Sequence, residues 1–168
     1  MKKPLFQIEG DGFDLIPLRE HHLPTTMAWR NVDSVRIWFK TPDMVSLEQH
    51  LRWYEAYSQK TDDFVFLIRD RISGALTGQI AIYRVDHFRS DAEIGRLITA
   101  PGYEGKGLMK KACASLIEYA MTAVGLKRIY LEVLPSNERA IHLYQKLGFR
   151  AIRRDESLLV MTLERRPS

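Results

Sequence analysis

Apolar and polar positions alternate in short runs near the start of the chain, where Leu5 to Ile8 and Phe13 to Leu18 predict two strands around the turn Gly10-Asp11-Gly12. The period then becomes helical. Arg19 to Asn31 predicts a helix that Pro24 breaks or restarts. Leu47, Leu51 and Tyr54 fall on one face of a second helix, from Ser46 to about Tyr57, predicted to be its buried face. Ser46 with Glu48 and Gln49 marks its start, because a hydroxyl and a side-chain amide can satisfy the N–H groups that a helix leaves unpaired. Apolar runs at Phe64–Arg69, Gly78–Val85 and Ala92–Thr99, turned at Arg71–Gly74 and His87–Asp91, predict three successive strands.

Beyond Ala100-Pro101 the helical period returns. Leu108, Ala112, Leu116, Ala120 and Ala123 form a stripe that Gly125 ends. A strand from Ile129 to Leu134, a break at Pro135-Ser136-Asn137 and a short helix from Glu138 to Leu147 follow, the helix being closed by Gly148. A last hairpin, Phe149–Ile152 with Leu158–Leu163, precedes the polar tail Glu164–Ser168. This order predicts an α/β (α+β) fold with a mixed sheet and no internal repeat.

With 168 residues, 45% hydrophobic and 27% charged, the chain is predicted to form one domain over 1–168. A net charge of +4 suits an anionic ligand and is equally common in ordinary soluble proteins. The basic residues are dispersed, without an arginine-rich tract interleaved with aromatics, so no nucleic-acid partner is expected. The single cysteine, Cys113, excludes an internal disulfide and lies on the apolar stripe, where it reads as core filler in a reducing compartment. No apolar run is long enough to span a bilayer, and Met1-Lys2-Lys3 is followed by Gln7, Glu9, Asp11 and Asp14, so a cytoplasmic protein is expected. His21, His22, His50, His87 and His142 lack metal-ligand spacing, and no metal is expected.

Two stretches carry chemistry. Pro101 to Lys111 is a glycine-punctuated basic turn between a strand and a helix. Gly105 and Gly107 let backbone approach a ligand closely, Lys106, Lys110 and Lys111 add positive charge, and unpaired N–H groups at the helix start suit a phosphate. A plain connection with surface lysines has the same composition, and neither the Walker ending nor GxGxxG is present. The second stretch, Leu131 to Phe149, places Glu132 on a strand, Asn137 at a break and Tyr144 two helical turns further on.

Together they resemble the GNAT acyl-CoA N-acyltransferase superfamily. Glu104-Gly105-Lys106-Gly107-Leu108-Met109 is similar to its pyrophosphate loop, with Glu104 in place of Gln or Arg and Met109 at a usually small position. Asn137 to Phe149 is similar to its Asn-x-x-Ala-x-x-Leu-Tyr-x-Lys-x-Gly-Phe signature. The resemblance implies a GNAT fold, with helices flanking a centrally splayed sheet of about six to seven strands. It implies acetyl-CoA as co-substrate, an acceptor-side half about 1–63 and an acetyl-CoA-binding half about 64–163. Pantetheine would pair with the strand edge at Leu97, Ile98 and Thr99, where an N–H near Ile98 would also hold the thioester oxygen. Pyrophosphate would rest on the N–H groups of Gly105, Lys106, Gly107, Leu108, Met109 and Lys110. Asn137 is implied to touch the cofactor and can equally cap its helix, while Lys146 is either near the phosphates or solvated.

Transfer to an alkylamine, mostly protonated at pH 7, needs a base, and the departing sulfur needs a proton. Glu132, whose spacing to Tyr144 resembles that of the base and acid in ribosomal-protein alanine N-acetyltransferases, is the first candidate base and Glu93 the second, although a solvent-facing strand residue is an equal reading of Glu132. Tyr144 is the candidate acid, since a phenol keeps its proton at neutral pH, and its alternative is an aromatic packing helix on sheet. Trp29, Arg30, Asn31, Arg36 and Trp38, with Ser46 to Leu51, are similar to amino-sugar nucleotide N-acetyltransferases, the alternative for each tryptophan being a place in the core. The expected acceptor is therefore a small-molecule amine such as a nucleotide-linked amino sugar. The rivals are a peptide N-terminus, as in the ribosomal-protein enzymes that the second half resembles, and an acyl-CoA-binding module without turnover. A polyamine is disfavoured because the chain is basic and shows no acidic cluster. A homodimer is left open.

Overall fold

The computed structural model describes residues 6–167, so Leu5 of the first predicted strand, the Met1–Lys3 segment and Ser168 lie outside it. Among the described residues eight strands form one sheet in the order β1-β2-β3-β4-β5-β6-β8-β7, slightly more than expected. They are β1 (Ile8–Glu9), β2 (Phe13–Pro17), β3 (Phe64–Asp70), β4 (Leu76–Asp86), β5 (Asp91–Thr99), β6 (Arg128–Val133), β7 (Arg150–Arg154) and β8 (Leu159–Glu164). Only β5 and β6 run parallel; the other pairs are antiparallel.

Both faces of the sheet are covered, which is why β3 reads as a continuous apolar run. Phe66 and Ile68 face one core, with Leu116 and Ile117 of α4 (Leu108–Thr122). Val65 and Leu67 face the other, with Leu23 and Trp29 of α1 (Leu23–Arg30). Cys113 is fully buried in the first core, where burial pushes its thiol up to about 12, fitting its reading as filler. Pro24 starts α1 instead of breaking it, because the first turn has no N–H obligation that proline would forfeit. After the short α2 (Asp33–Arg36), helix α3 (Leu47–Gln59) opens on the predicted capping pair. Ser46 Oγ accepts from the Gln49 N–H at 3.1 Å, and Gln49 Oε1 accepts from the Ser46 N–H at 2.9 Å.

The buried face of α3 departs from the expectation. Leu47 and Leu51 are 41% and 39% exposed, while Trp53, Tyr54 and Tyr57 pack on the sheet. Trp53 stacks on Tyr57 at 5.1 Å, and the Tyr57 hydroxyl accepts from the Val65 N–H at 2.9 Å, which rotates the aromatic stripe inward. No helix among the described residues is long and apolar enough to cross a membrane.

The feature that positions the site is the opening between β5 and β6. They pair only at Asp91 with Arg128, Ala92 with Ile129 and Glu93 with Tyr130. Beyond that point β5 carries a bulge: Gly95 and Ile98 oppose Ala81 and Gln79, so β5 holds one more residue than β4 over the same span. Arg96 sits in the bulge at φ 54°, and its guanidinium makes two hydrogen bonds to Asp63, at 2.7 and 3.2 Å, while lying 4.2 Å over the Tyr83 ring. Gly95 is required beside it, since a Cβ there would come within 2.4 Å of the Tyr83 hydroxyl. The bend leaves Ile98 and Thr99 paired with β4, and Leu97 to Thr99 with no strand among the described residues on the other edge.

Acid sensitivity follows from the turn before α1. His22 Nδ1 accepts the Arg19 N–H at 3.0 Å, and burial, helped by the His21 and Arg19 charges, pushes the imidazole down from 6.5 to about 4. A depressed imidazole gains its proton on unfolding, so its stabilisation is present above pH 6.5 and lost as pH falls toward 4. The melting temperature is expected to drop by several degrees across that window. His22→Asn, whose amide oxygen can accept the same bond, should flatten the drop in thermal unfolding followed by circular dichroism.

Candidate active site

A cleft of about 650 Å³ opens where β5 and β6 part. Leu97, Ile98 and Thr99 form one wall with their free backbone edge, and Glu132 to Leu134 of β6 form the facing wall. The loop Tyr103–Gly107 and the first turn of α4 close one end, and Trp38 to Thr41, between α2 and α3, close the other. Helix α5 (Glu138–Lys146) adds Ala140, Leu143 and Tyr144.

The loop end is built for an anion. Gly105 and Gly107 lie at φ 73° and 72°, a left-handed conformation that costs other residues roughly 1–2 kcal/mol. Gly107 is the N-cap of α4 and no side chain caps this helix. The N–H groups of Gly105, Lys106 and Gly107 donate to no group among the described residues. With the helix dipole behind them, they form an anion cradle. Glu104, the acid at an unusual position, turns its carboxylate onto the Gly102 N–H at 2.8 Å and so is engaged within the loop. Lys106 Nζ lies 5.3 Å over the Tyr103 ring.

Tyr144 is 7% exposed, between the cleft and the core, with Phe149 in edge contact at 5.9 Å. Burial raises its phenol above the ordinary value, so it holds its proton at neutral pH. Its phenol makes no hydrogen bond among the described residues. Asn137 lines the cleft and caps α5, accepting the Ala140 N–H at 3.3 Å.

Two carboxylates face the same space. Glu93 is buried and accepts from the Tyr83 hydroxyl at 3.1 Å and from Arg84 Nη1 at 3.0 Å. Burial pushes its carboxyl up against the Arg84 charge, and the Glu132 charge adds to the rise. Glu132, with its side chain 19% exposed, is ion-paired with Lys40.

The cleft thus brings together Glu93, Leu97, Ile98, Thr99, Glu132, Asn137, Tyr144, the residues Gly105 to Lys110, and Trp38. It does not gather the other residues expected on the acceptor side. Trp29 is 7% exposed in the second core. Asn31 clasps Val45, its amide donating to the backbone oxygen at 2.7 Å and accepting the N–H at 2.8 Å. Arg30 lies 4.1 Å over Phe39 and donates to the Thr41 oxygen, while Arg36 pairs with Asp33 at 3.0 Å. These residues shape the wall from behind. Lys146 is exposed outside the cleft.

Lys40, Tyr83, Arg84 and Arg96 also line the cleft, and no sequence motif marks them. The hairpin about His87–Asp91 is the signal that finds Tyr83, since folding it sets Tyr83 against Glu93, as the register does. Lys40 carries no local signal, because its partner is on a strand far along the chain.

Residues 13–150 match the family model described as Acetyltransferase (GNAT) domain, and the chain belongs to that family. Spermidine N(1)-acetyltransferase of Escherichia coli (strain K12) is 32% identical over 127 residues, covering 71% of this chain and 62% of that relative. The matched stretch therefore spans somewhat under two thirds of the relative's length. In three dimensions the chain is similar to a spermidine N-acetyltransferase from Vibrio cholerae, solved with CoA and spermine. That likeness has a TM-score of 0.82 at 22% identity and covers 91% of this chain and 95% of that one. It is also similar to a ligand-free nucleotide-linked sugar GNAT, with a TM-score of 0.83 at 15% identity over 96% of this chain and 91% of that one. At these identities both likenesses concern the fold, and they bear out the splayed sheet.

Proposed function

We propose that the chain is an acetyl-CoA-dependent N-acetyltransferase that moves an acetyl group directly to the primary amine of a small alkylamine of the polyamine kind. The observation that carries this reading is one cleft lined by a free strand edge, an uncapped glycine loop, a buried tyrosine and two carboxylates. The residues present fit the co-substrate. The unengaged N–H groups of Gly105, Lys106 and Gly107, with Lys106 and Lys110 nearby, suit a pyrophosphate, and the edge at Leu97 to Thr99 suits the amides of pantetheine. When bound, acetyl-CoA supplies the electrophilic thioester.

Glu132 takes the proton that makes the acceptor an ammonium, which frees the nitrogen lone pair for attack. An N–H beside Ile98 holds the carbonyl oxygen as it gains charge, and it is already oriented by the bulge. Tyr144 gives the departing sulfur its proton. Glu93, held by Tyr83 and Arg84, fixes the charge beside Glu132 and is the alternative base.

The alkylamine replaces the amino-sugar expectation for two reasons. Glu93 and Glu132 stand in one cleft, and Glu132 there already holds an alkylammonium, that of Lys40, with which a free ammonium can exchange. The relative from E. coli, named for spermidine acetylation, points the same way. A nucleotide-linked amino sugar is the second reading, favoured by Trp38, an aromatic residue that lines the cleft and is 41% exposed.

Free thiol release from acetyl-CoA with spermidine, spermine, nucleotide-linked amino sugars and N-terminal peptides separates these readings. Polyamine turnover is expected, and turnover of sugar alone would overturn the alkylamine assignment. Tight acetyl-CoA binding with no turnover of any amine would leave an acyl-CoA-binding module. In the same assay Glu132→Gln is expected to lower kcat/KM about 100-fold near pH 7. An unaltered pH–rate profile would move the base role to Glu93.

A further inference from the structure

The connection between α2 and α3 brings an amine of the chain's own into the cleft. Lys40 lines it together with Leu97 to Thr99 and Tyr144, and its ammonium contacts Glu132 Oε2. A lysine side chain is an ammonium on a four-carbon alkyl stem, the same chemistry as the acceptor class proposed above. The contact is therefore that of an acceptor amine with its base. The segment is held in place: Arg30 donates to the Thr41 oxygen and stacks its guanidinium on the Phe39 ring, and Arg36 Nη1 donates to the Pro42 oxygen at 3.1 Å. The Lys40 side chain remains 63% exposed, so a reagent in the cleft can reach it.

We infer that Lys40 is an acceptor in cis: without a free amine the chain acetylates its own Lys40 Nζ from acetyl-CoA, and until then Lys40 competes with the free amine for Glu132. The inference rests on the acetyl transfer proposed above. Glu132 removes one proton from the Lys40 ammonium. A bond forms between Nζ and the acetyl carbonyl carbon, and the carbon–sulfur bond breaks. The sulfur departs with the Tyr144 proton, and the second proton leaving the nitrogen restores Tyr144 through solvent. Acetyl-lysine, free CoA thiol and one proton released to solvent from Glu132 balance the step, with no change of oxidation state. Acetylation removes the ammonium charge and with it the ion pair, leaving Glu132 to face the free acceptor.

The test incubates the purified chain with acetyl-CoA and no acceptor, and reads intact mass and acetylated peptides over time. One acetyl group is expected on Lys40, at a rate per chain independent of protein concentration. It should be absent in Lys40→Arg and roughly 100-fold slower in Glu132→Gln. An unmodified Lys40 in a chain that does acetylate a free amine overturns the inference and leaves the proposed function standing. Equal modification of Lys40 in Glu132→Gln, alongside other surface lysines, overturns it as uncatalysed chemistry. A rate that rises with protein concentration overturns it as transfer between chains. If neither Lys40 nor any free amine is acetylated, the inference and the proposed function fall together.

Discussion

Tyr144→Phe is expected to lower kcat by about 100-fold or more while acetyl-CoA affinity is nearly kept. The substitution deletes one oxygen and keeps the ring, so the edge contact with Phe149 and the packing on the first core survive. What is lost is the proton for the departing sulfur. Burial raises this phenol above its ordinary value, so wild-type Tyr144 holds its proton throughout the neutral range. The defect should therefore appear in kcat at every pH from 6 to 8, as steady-state kinetics beside calorimetric titration of acetyl-CoA would report. An unchanged kcat would return Tyr144 to a packing role.

Arg96→Ala is expected to have the largest effect on stability, about 3 kcal/mol, which corresponds to a fall of roughly 6–12 °C in melting temperature. Asp63 is 3% exposed and loses its bidentate partner, with Lys60 at 3.8 Å as partial compensation. Alanine also inherits the φ of 54° without the hydrogen bonds that hold it. Arg96→Gly loses the same ion pair but tolerates that φ, so the difference between the two variants reads the backbone strain, about 1–2 kcal/mol. Because Arg96 sits in the bulge that frees Leu97 to Thr99, both variants should also bind acetyl-CoA more weakly. A melting temperature within a degree of wild type would show that Asp63 does not need Arg96.

Elements whose signals are local are legible in the sequence. The strands of the central hairpins, the Ser46–Gln49 cap, the glycine loop and the Asn137–Phe149 signature all lie where their residues predict. The parting of β5 from β6 is implied only by the family resemblance. Its physical cause is an arginine at positive φ, a residue with no intrinsic preference for that conformation, held there by Asp63 and Tyr83 from other parts of the chain. The acceptor side is the least legible. Trp29 and Trp38 look alike in sequence, yet α1 turns the first into the core and the second stands on the cleft wall. On α3 the leucines face outward because three larger aromatic rings claim the sheet. The ion pair of Lys40 with Glu132 and the approach of Glu93 to Glu132 are products of strand order, which no local pattern encodes.

The central claim is direct transfer of acetyl from acetyl-CoA to a small amine in this cleft. Its most direct test is stoichiometry: free thiol and N-acetylated amine measured together, by thiol assay and mass spectrometry, with spermidine as acceptor. The account predicts one acetylated amine for each thiol released, and only slow or self-limited release when the amine is left out. Sustained thiol release without acetylated amine would contradict it.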